Sequence, residues 1–159
     1  MFLGGGLSNG EWVWVPIPKN ASSAHRGVLT TAGWDKAEYG RTVTHLPAYI
    51  PVRDPISRWF SGAAQYATRP GQRLDSLVDD VLEGRWPVFD EHTMRQTDFV
   101  PSTISDPRYV RLEDAVAFMR QQWGLKLPVV NQRTYAVDRR LIRVLTEFYA
   151  TDLELYHGL

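Results

Sequence analysis

The 159-residue chain contains no cysteine, which excludes disulfides, thiolate catalysis and zinc sites built on sulfur. It also lacks a surplus of either charge: eighteen Lys and Arg residues balance eighteen Asp and Glu. Proteins that hold nucleic acid or anionic membrane by bulk electrostatics carry a basic excess, so neither partner is expected. A balanced total still leaves room for one local anion pocket. Lysine itself is scarce, with only Lys19, Lys36 and Lys126 against fifteen arginines. The planar Arg fork suits phosphate and carboxylate, although a nucleotide bias in the genome would produce the same excess. No apolar run approaches the roughly 20 residues that span a bilayer. The start, Met1-Phe2-Leu3-Gly4-Gly5-Gly6, has neither the basic region nor the sustained apolar stretch of a secretory signal. A cytoplasmic protein with no membrane span is the expectation.

What is present is ordinary for a folded domain: 43% hydrophobic and 23% charged residues over a length that suits one domain. Residues 1 to 10 are expected to be flexible. Glu11 to Ile17 is short, rich in β-formers and apolar on both faces, as a buried strand is. Pro16 and Pro18 close it, and Lys19 to Ser23 form a polar turn into a helix capped by Ser22 or Ser23. A second strand over Ala48 to Arg53 runs into Asp54-Pro55, a cap followed by a first-turn proline, which opens a helix to about Ala67. Leu74 to Leu82 reads as an amphipathic helix, and residues 85–107, with three prolines, read as a long loop. A strand at Tyr109 to Leu112, a helix from about Glu113 to Trp123 and a final helical stretch from about Asp138 to Tyr156 complete the pattern. Strands alternating with helices indicate an α/β fold: a single domain with a parallel sheet flanked by helices. Ligands in such sheets bind beyond the carboxyl ends of the strands, at helix N-termini.

Two strand-to-helix turns carry the polar residues. Pro18-Lys19-Asn20-Ala21-Ser22-Ser23 combines one ammonium, two hydroxyls and a helix start, which together form an anion cradle. It is not a Walker loop: Gly5 and Gly10 have the glycine spacing, but Glu11 stands where Lys is required. The second turn, Val52-Arg53-Asp54-Pro55-Ile56-Ser57-Arg58-Trp59-Phe60-Ser61, puts Arg53 at a strand end and sets Arg58 three residues before Ser61 on one helix. A guanidinium and a hydroxyl there suit a second phosphate. In the plainer reading of both turns, the polar residues only cap helices and the basic side chains sit in solvent.

The two motifs in this order, PK-x-x-S-S-like and then R-D-P-x-x-R-x-x-S, resemble the sulfotransferases that use 3'-phosphoadenosine 5'-phosphosulfate, and the carbohydrate sulfotransferase branch most closely. Asp90-Glu91-His92 with Gln96 and Phe99, Tyr109 to Glu113, Leu127-Pro128 with Asn131, and the tail from Phe148 to Tyr156 follow in the same order. The likeness covers about residues 12–157. It implies a P-loop-like sheet, with Lys19, Asn20, Ala21, Ser22 and Ser23 at the 5'-phosphosulfate and with Arg53 and Ser61 at the 3'-phosphate. The implied reaction is in-line transfer of a sulfuryl group to an acceptor hydroxyl on a glycan or small molecule, without a metal. Lys19 would stabilise the leaving oxygen and His92 would act as general base, with His25 and Glu91 as alternatives. Arg133 and one of the tryptophans are further candidates for the nucleotide, and Asp152 is expected to be structural. The chain is shorter than the animal enzymes and lacks their membrane anchor, which suggests a bacterial or viral origin. A degenerate P-loop phosphotransferase and a non-catalytic nucleotide-binding protein remain as alternatives.

Overall fold

A computed structural model describes residues 5–37, 45–129, 135 and 138–159. Among the described residues, five strands form one sheet: β1 (Gly6–Ser8), β2 (Val13–Trp14), β3 (Asp35–Ala37), β4 (Pro47–Val52) and β5 (Asp106–Arg111), in the order β3-β1-β2-β4-β5. The helices are α1 (Ser22–Thr31), α2 (Pro55–Tyr66), α3 (Leu74–Leu82), α4 (Ala115–Trp123), α5 (Arg139–Phe148) and α6 (Ala150–His157). No described helix is long and apolar enough to cross a membrane. The chain divides into two compact units: Met1–Arg53 with Gln96–Val130 and Leu159, and Asp54–Arg95 with Asn131–Gly158.

The first unit contains the whole sheet together with α1 and α4. β2, β4 and β5 are parallel, with Val13 opposite Ala48 and Pro47 to Val52 opposite Asp106 to Arg111. The α/β expectation holds, but the wholly parallel sheet does not. β1 runs antiparallel to both β2 and β3, so the sheet is mixed. The cause is local: Asn9 and Ser8 close a tight turn on Trp12, which returns the chain directly into β2 without a crossover. Gly6 to Ser8 is therefore a paired strand, against the expectation that residues 1 to 10 are flexible. Val13, Trp14 and Ala48 to Ile50 are fully buried, as strands covered on both faces must be. Trp12, Trp34, Tyr49, Phe118 and Trp123 meet edge-on or stacked around one end of that core.

Pro51 looks misplaced in an interior strand until the ladder is followed. Tyr49 O accepts the Val15 N–H at 3.1 Å. Two residues on, Pro51 points the same way, where β2 has already left the sheet. Its missing N–H falls where the β2–β4 ladder ends, and Pro51 O takes the Asn20 side-chain amide at 2.9 Å.

The second unit is helical. Asp54 caps α2 by accepting the Ser57 N–H at 2.7 Å with Pro55 in the first turn, as the sequence indicates. α3 occupies the expected Leu74–Leu82. The last helical stretch is broken at Tyr149 into α5 and α6. Its core joins Trp59, Phe60, Ala63, Val81, Leu141 and Leu145.

Candidate functional site

β2 and β4 are parallel, so their carboxyl ends lie on one edge of the sheet and the two motif-bearing turns leave from that edge. They meet. The Asn20 amide donates to Pro51 O, and Arg53 Nη1 lies 3.5 Å from Lys19 O. Lys19 to Ser23 and Arg53 therefore form one cluster in the first unit.

Backbone conformation shapes the loop. Lys19 (φ 69) and Ala21 (φ 55) are both left-handed and are separated by Asn20, and right-handed α1 begins at Ser22. Alternation of hand is a backbone geometry that can collect anions, although the Asn20 N–H itself is donated to Ile17 O at 3.2 Å. The expected serine cap is absent: Ala21 is the N-cap of α1, no side chain caps the helix, and its first turn holds no acid. The first-turn N–H groups have no acceptor within the helix. Ser22 and Ser23 are half-buried and exposed, and Lys19 is half-buried. Ammonium, guanidinium, two hydroxyls and N–H groups make a set of donors and cations, which matches a phosphate or sulfate ester.

Asn20 plays a different part from the one its motif implies. It is wholly buried, and its amide N–H groups go to Pro51 O at 2.9 Å and Gln96 Oε1 at 2.6 Å. Its side chain braces the cradle from behind and does not line it. Gln96 completes the brace, accepting the Arg53 N–H at 2.9 Å and donating to Arg53 O at 2.8 Å. A backbone donor and a backbone acceptor fix which end of Gln96 is oxygen, and that in turn fixes the Asn20 amide. The order of motifs marks Gln96 but gives no hint that it grips Arg53, the residue before the α2 cap.

His25, the alternative base, is excluded by its surroundings. It is fully buried, with Nδ1 at 2.9 Å from Ala21 O and Nε2 at 2.9 Å from the Tyr49 hydroxyl. Burial holds its pKa below the usual imidazole value.

Ser61 and His92 belong to the second unit. Ser61 is half-buried on α2. Arg58 does not face a ligand: it is 1% exposed and donates to the carbonyls of Met94 and, at 3.3 Å, Glu91. It clamps the loop that carries His92. Tyr149 donates from its hydroxyl to Thr93 O, and Thr93 Oγ1 accepts the Phe89 N–H at 2.8 Å. Gly62 lets the loop close in, since a Cβ there would overlap the His92 carbonyl oxygen and lie 2.8 Å from its carbon.

On that braced loop His92 is partly exposed, and its Nδ1 lies 3.2 Å from Asp90 Oδ1. Asp90 also accepts the His92 backbone N–H at 2.9 Å and pairs with Arg69 at 2.7 Å. A carboxylate facing Nδ1 places the proton of a neutral ring there and leaves Nε2 as the basic lone pair. Glu91 Oε1 lies 3.9 Å from the same Nδ1. Asp90, Glu91 and His92 also have the donor atoms of a metal cluster, but Asp90 is already committed to His92 and Arg69. Asp152 is buried on α6. Asn131 and Arg133 lie outside the described residues. No family model, curated protein or solved structure matches the chain.

Proposed function

We propose that the chain is a sulfotransferase that takes its sulfuryl group from 3'-phosphoadenosine 5'-phosphosulfate and passes it by in-line displacement to an acceptor hydroxyl of a carbohydrate. The observation that carries this reading is the cluster of Lys19, Ser22, Ser23 and Arg53 at the shared carboxyl edge of β2 and β4, over an uncapped helix start. When bound, the donor supplies the sulfuryl group, and adenosine 3',5'-bisphosphate departs.

The Lys19 ammonium and the N–H groups of the loop stabilise negative charge at the departing oxygen, where a fixed donor lowers a barrier most. Ser22 and Ser23 add hydroxyl donors. Arg53, whose backbone is held by Gln96, offers its fork to the second phosphate group, with Ser61 as the further residue the motif implies. An acceptor alcohol must lose a proton as its oxygen attacks, and the Asp90–His92 pair is equipped for this, with Nε2 as the atom that receives it. These groups operate without a metal.

Calorimetric titration with adenosine 3',5'-bisphosphate, beside AMP and ATP, tests the reading. Micromolar binding of the bisphosphate with far weaker AMP binding supports it and justifies an acceptor screen. Equal or absent binding of the bisphosphate refutes it.

A further inference from the structure

We propose that His25 is a positioning residue that orients the anion loop, holding the Ala21–Ser22 peptide so that the Ser22 N–H projects from the start of α1. This role rests on the reading of Lys19–Ser23 as an anion site.

Ala21 O accepts two hydrogen bonds from the same residue: the His25 backbone N–H at 3.0 Å, which is the first helical bond of α1, and the ring Nδ1 at 2.9 Å. A carbonyl can only accept, so the ring proton is on Nδ1. Burial keeps the ring neutral, so Nε2 carries the lone pair and accepts from the Tyr49 hydroxyl at 2.9 Å. Burial pushes the Tyr49 phenol up as well, which keeps that hydroxyl protonated and able to donate. The hydrogen bonds thus run in one direction, from the Tyr49 hydroxyl of β4 through the imidazole to the carbonyl of the left-handed Ala21.

Within a trans peptide C=O and N–H point in opposite directions. Drawing Ala21 O down along α1 therefore aims the Ser22 N–H outward, away from the helix body. The left-handed conformation of Ala21 is costly for a residue with a Cβ, and the second bond to its carbonyl offsets part of that cost. The Trp14 ring, nearly parallel to the imidazole at 5.9 Å between centroids, and the Tyr49 ring at 5.6 Å leave His25 little room to rotate.

The test compares wild type with His25→Leu and His25→Asn. Leucine removes the donor, whereas asparagine places an amide N–H where Nδ1 stood. Adenosine 3',5'-bisphosphate and inorganic pyrophosphate are titrated while the Ser22 and Ser23 amides are followed by NMR. His25→Leu is expected to bind both about 10- to 100-fold more weakly, and His25→Asn to recover most of that loss although both variants are destabilised. A general loss of packing would not separate the two. In wild type, nitrogen NMR of the ring, which needs no variant, should find the proton on Nδ1 and a bare Nε2. Wild-type affinity in a folded His25→Leu, or a proton on Nε2, overturns the positioning role alone. Failure of wild type to bind either anion overturns the functional reading and this role together.

Discussion

Replacing Gln96 with leucine tests the brace behind the anion loop. The residue is 1% exposed, and its side chain bonds the Arg53 backbone N–H and carbonyl and the wholly buried Asn20. Leucine fills nearly the same volume, so the main loss is polar. It removes the Gln96 partner of the Arg53 N–H, of the Arg53 carbonyl and of one N–H of Asn20. A buried group left without its partner costs about 1–3 kcal/mol, and three neighbours that relax together should cost about 3–6 kcal/mol. That is a large share of the 5–15 kcal/mol typical of a whole domain. Urea unfolding measures the total, and hydrogen exchange at the Arg53 amide shows whether the loss is local. Gln96→Glu supplies a sign. A protonated Glu can still donate to Arg53 O, whereas a carboxylate turns a second acceptor toward that carbonyl. The folded-state pKa is therefore raised above the usual value of about 4.3. Stability relative to wild type is fully present below that pH and lost as pH rises through the raised value. A leucine variant within about 1 kcal/mol of wild type with unchanged Arg53 exchange, or a Gln96→Glu difference that does not vary with pH, refutes the reasoning.

The second unit supplies the other expectations. Arg58→Met should destabilise by about 3 kcal/mol in denaturant, because two inward carbonyls lose a charged donor, and Arg58→Lys should restore little because an ammonium cannot reproduce the fork. A wild-type-like Lys variant would show that the fork geometry is irrelevant. Gly62→Ala sets two effects against each other: helix propensity favours alanine by about 1 kcal/mol, but the new Cβ collides with the backbone of His92. We expect the collision to win by about 1–3 kcal/mol in thermal unfolding, and a stabilised variant would mean that the loop does not seat against α2. For turnover, His92→Ala should lower kcat about 100- to 10,000-fold, and Asp90→Asn should lower kcat with bisphosphate affinity unchanged. Survival of the wild-type pH–rate profile in both variants would remove the pair from the reaction.

Features set by neighbours in sequence were legible. Asp54-Pro55 announces α2, and the apolar spacing of Leu74, Leu77, Val78 and Val81 marks α3, because caps and amphipathic faces are local. β3 was not legible: Asp35-Lys36-Ala37 has no strand character and is held only by pairing with Gly6 to Ser8. The same division runs through the site. Lys19 to Ser23 and Arg53 stand out because each motif is contiguous, and their meeting follows from parallel β2 and β4. Spacing sets Arg58 beside Ser61 on one helical face but does not say which side is buried, and Arg58 faces inward. His25 and Gln96 take their roles from partners far along the chain, Tyr49 for one and Asn20 and Arg53 for the other. Nothing near either residue in sequence encodes those partners.

The grip of Gln96 on Arg53 also bears on how such a chain can change over evolutionary time. The backbone leaves the sheet-bearing unit after Arg53 and re-enters it at Gln96, and these two residues are hydrogen-bonded to each other. Everything from Asp54 to Arg95 thus departs and returns through a single clasped gateway. Lengthening or shortening the loops of that excursion would leave its ends where they are and would not disturb the register of β2 and β4, whereas α2 and α3 stay tied to α5 through a shared core. A lineage could therefore revise the part that carries His92 while inheriting the turn from Lys19 to Ser23 intact.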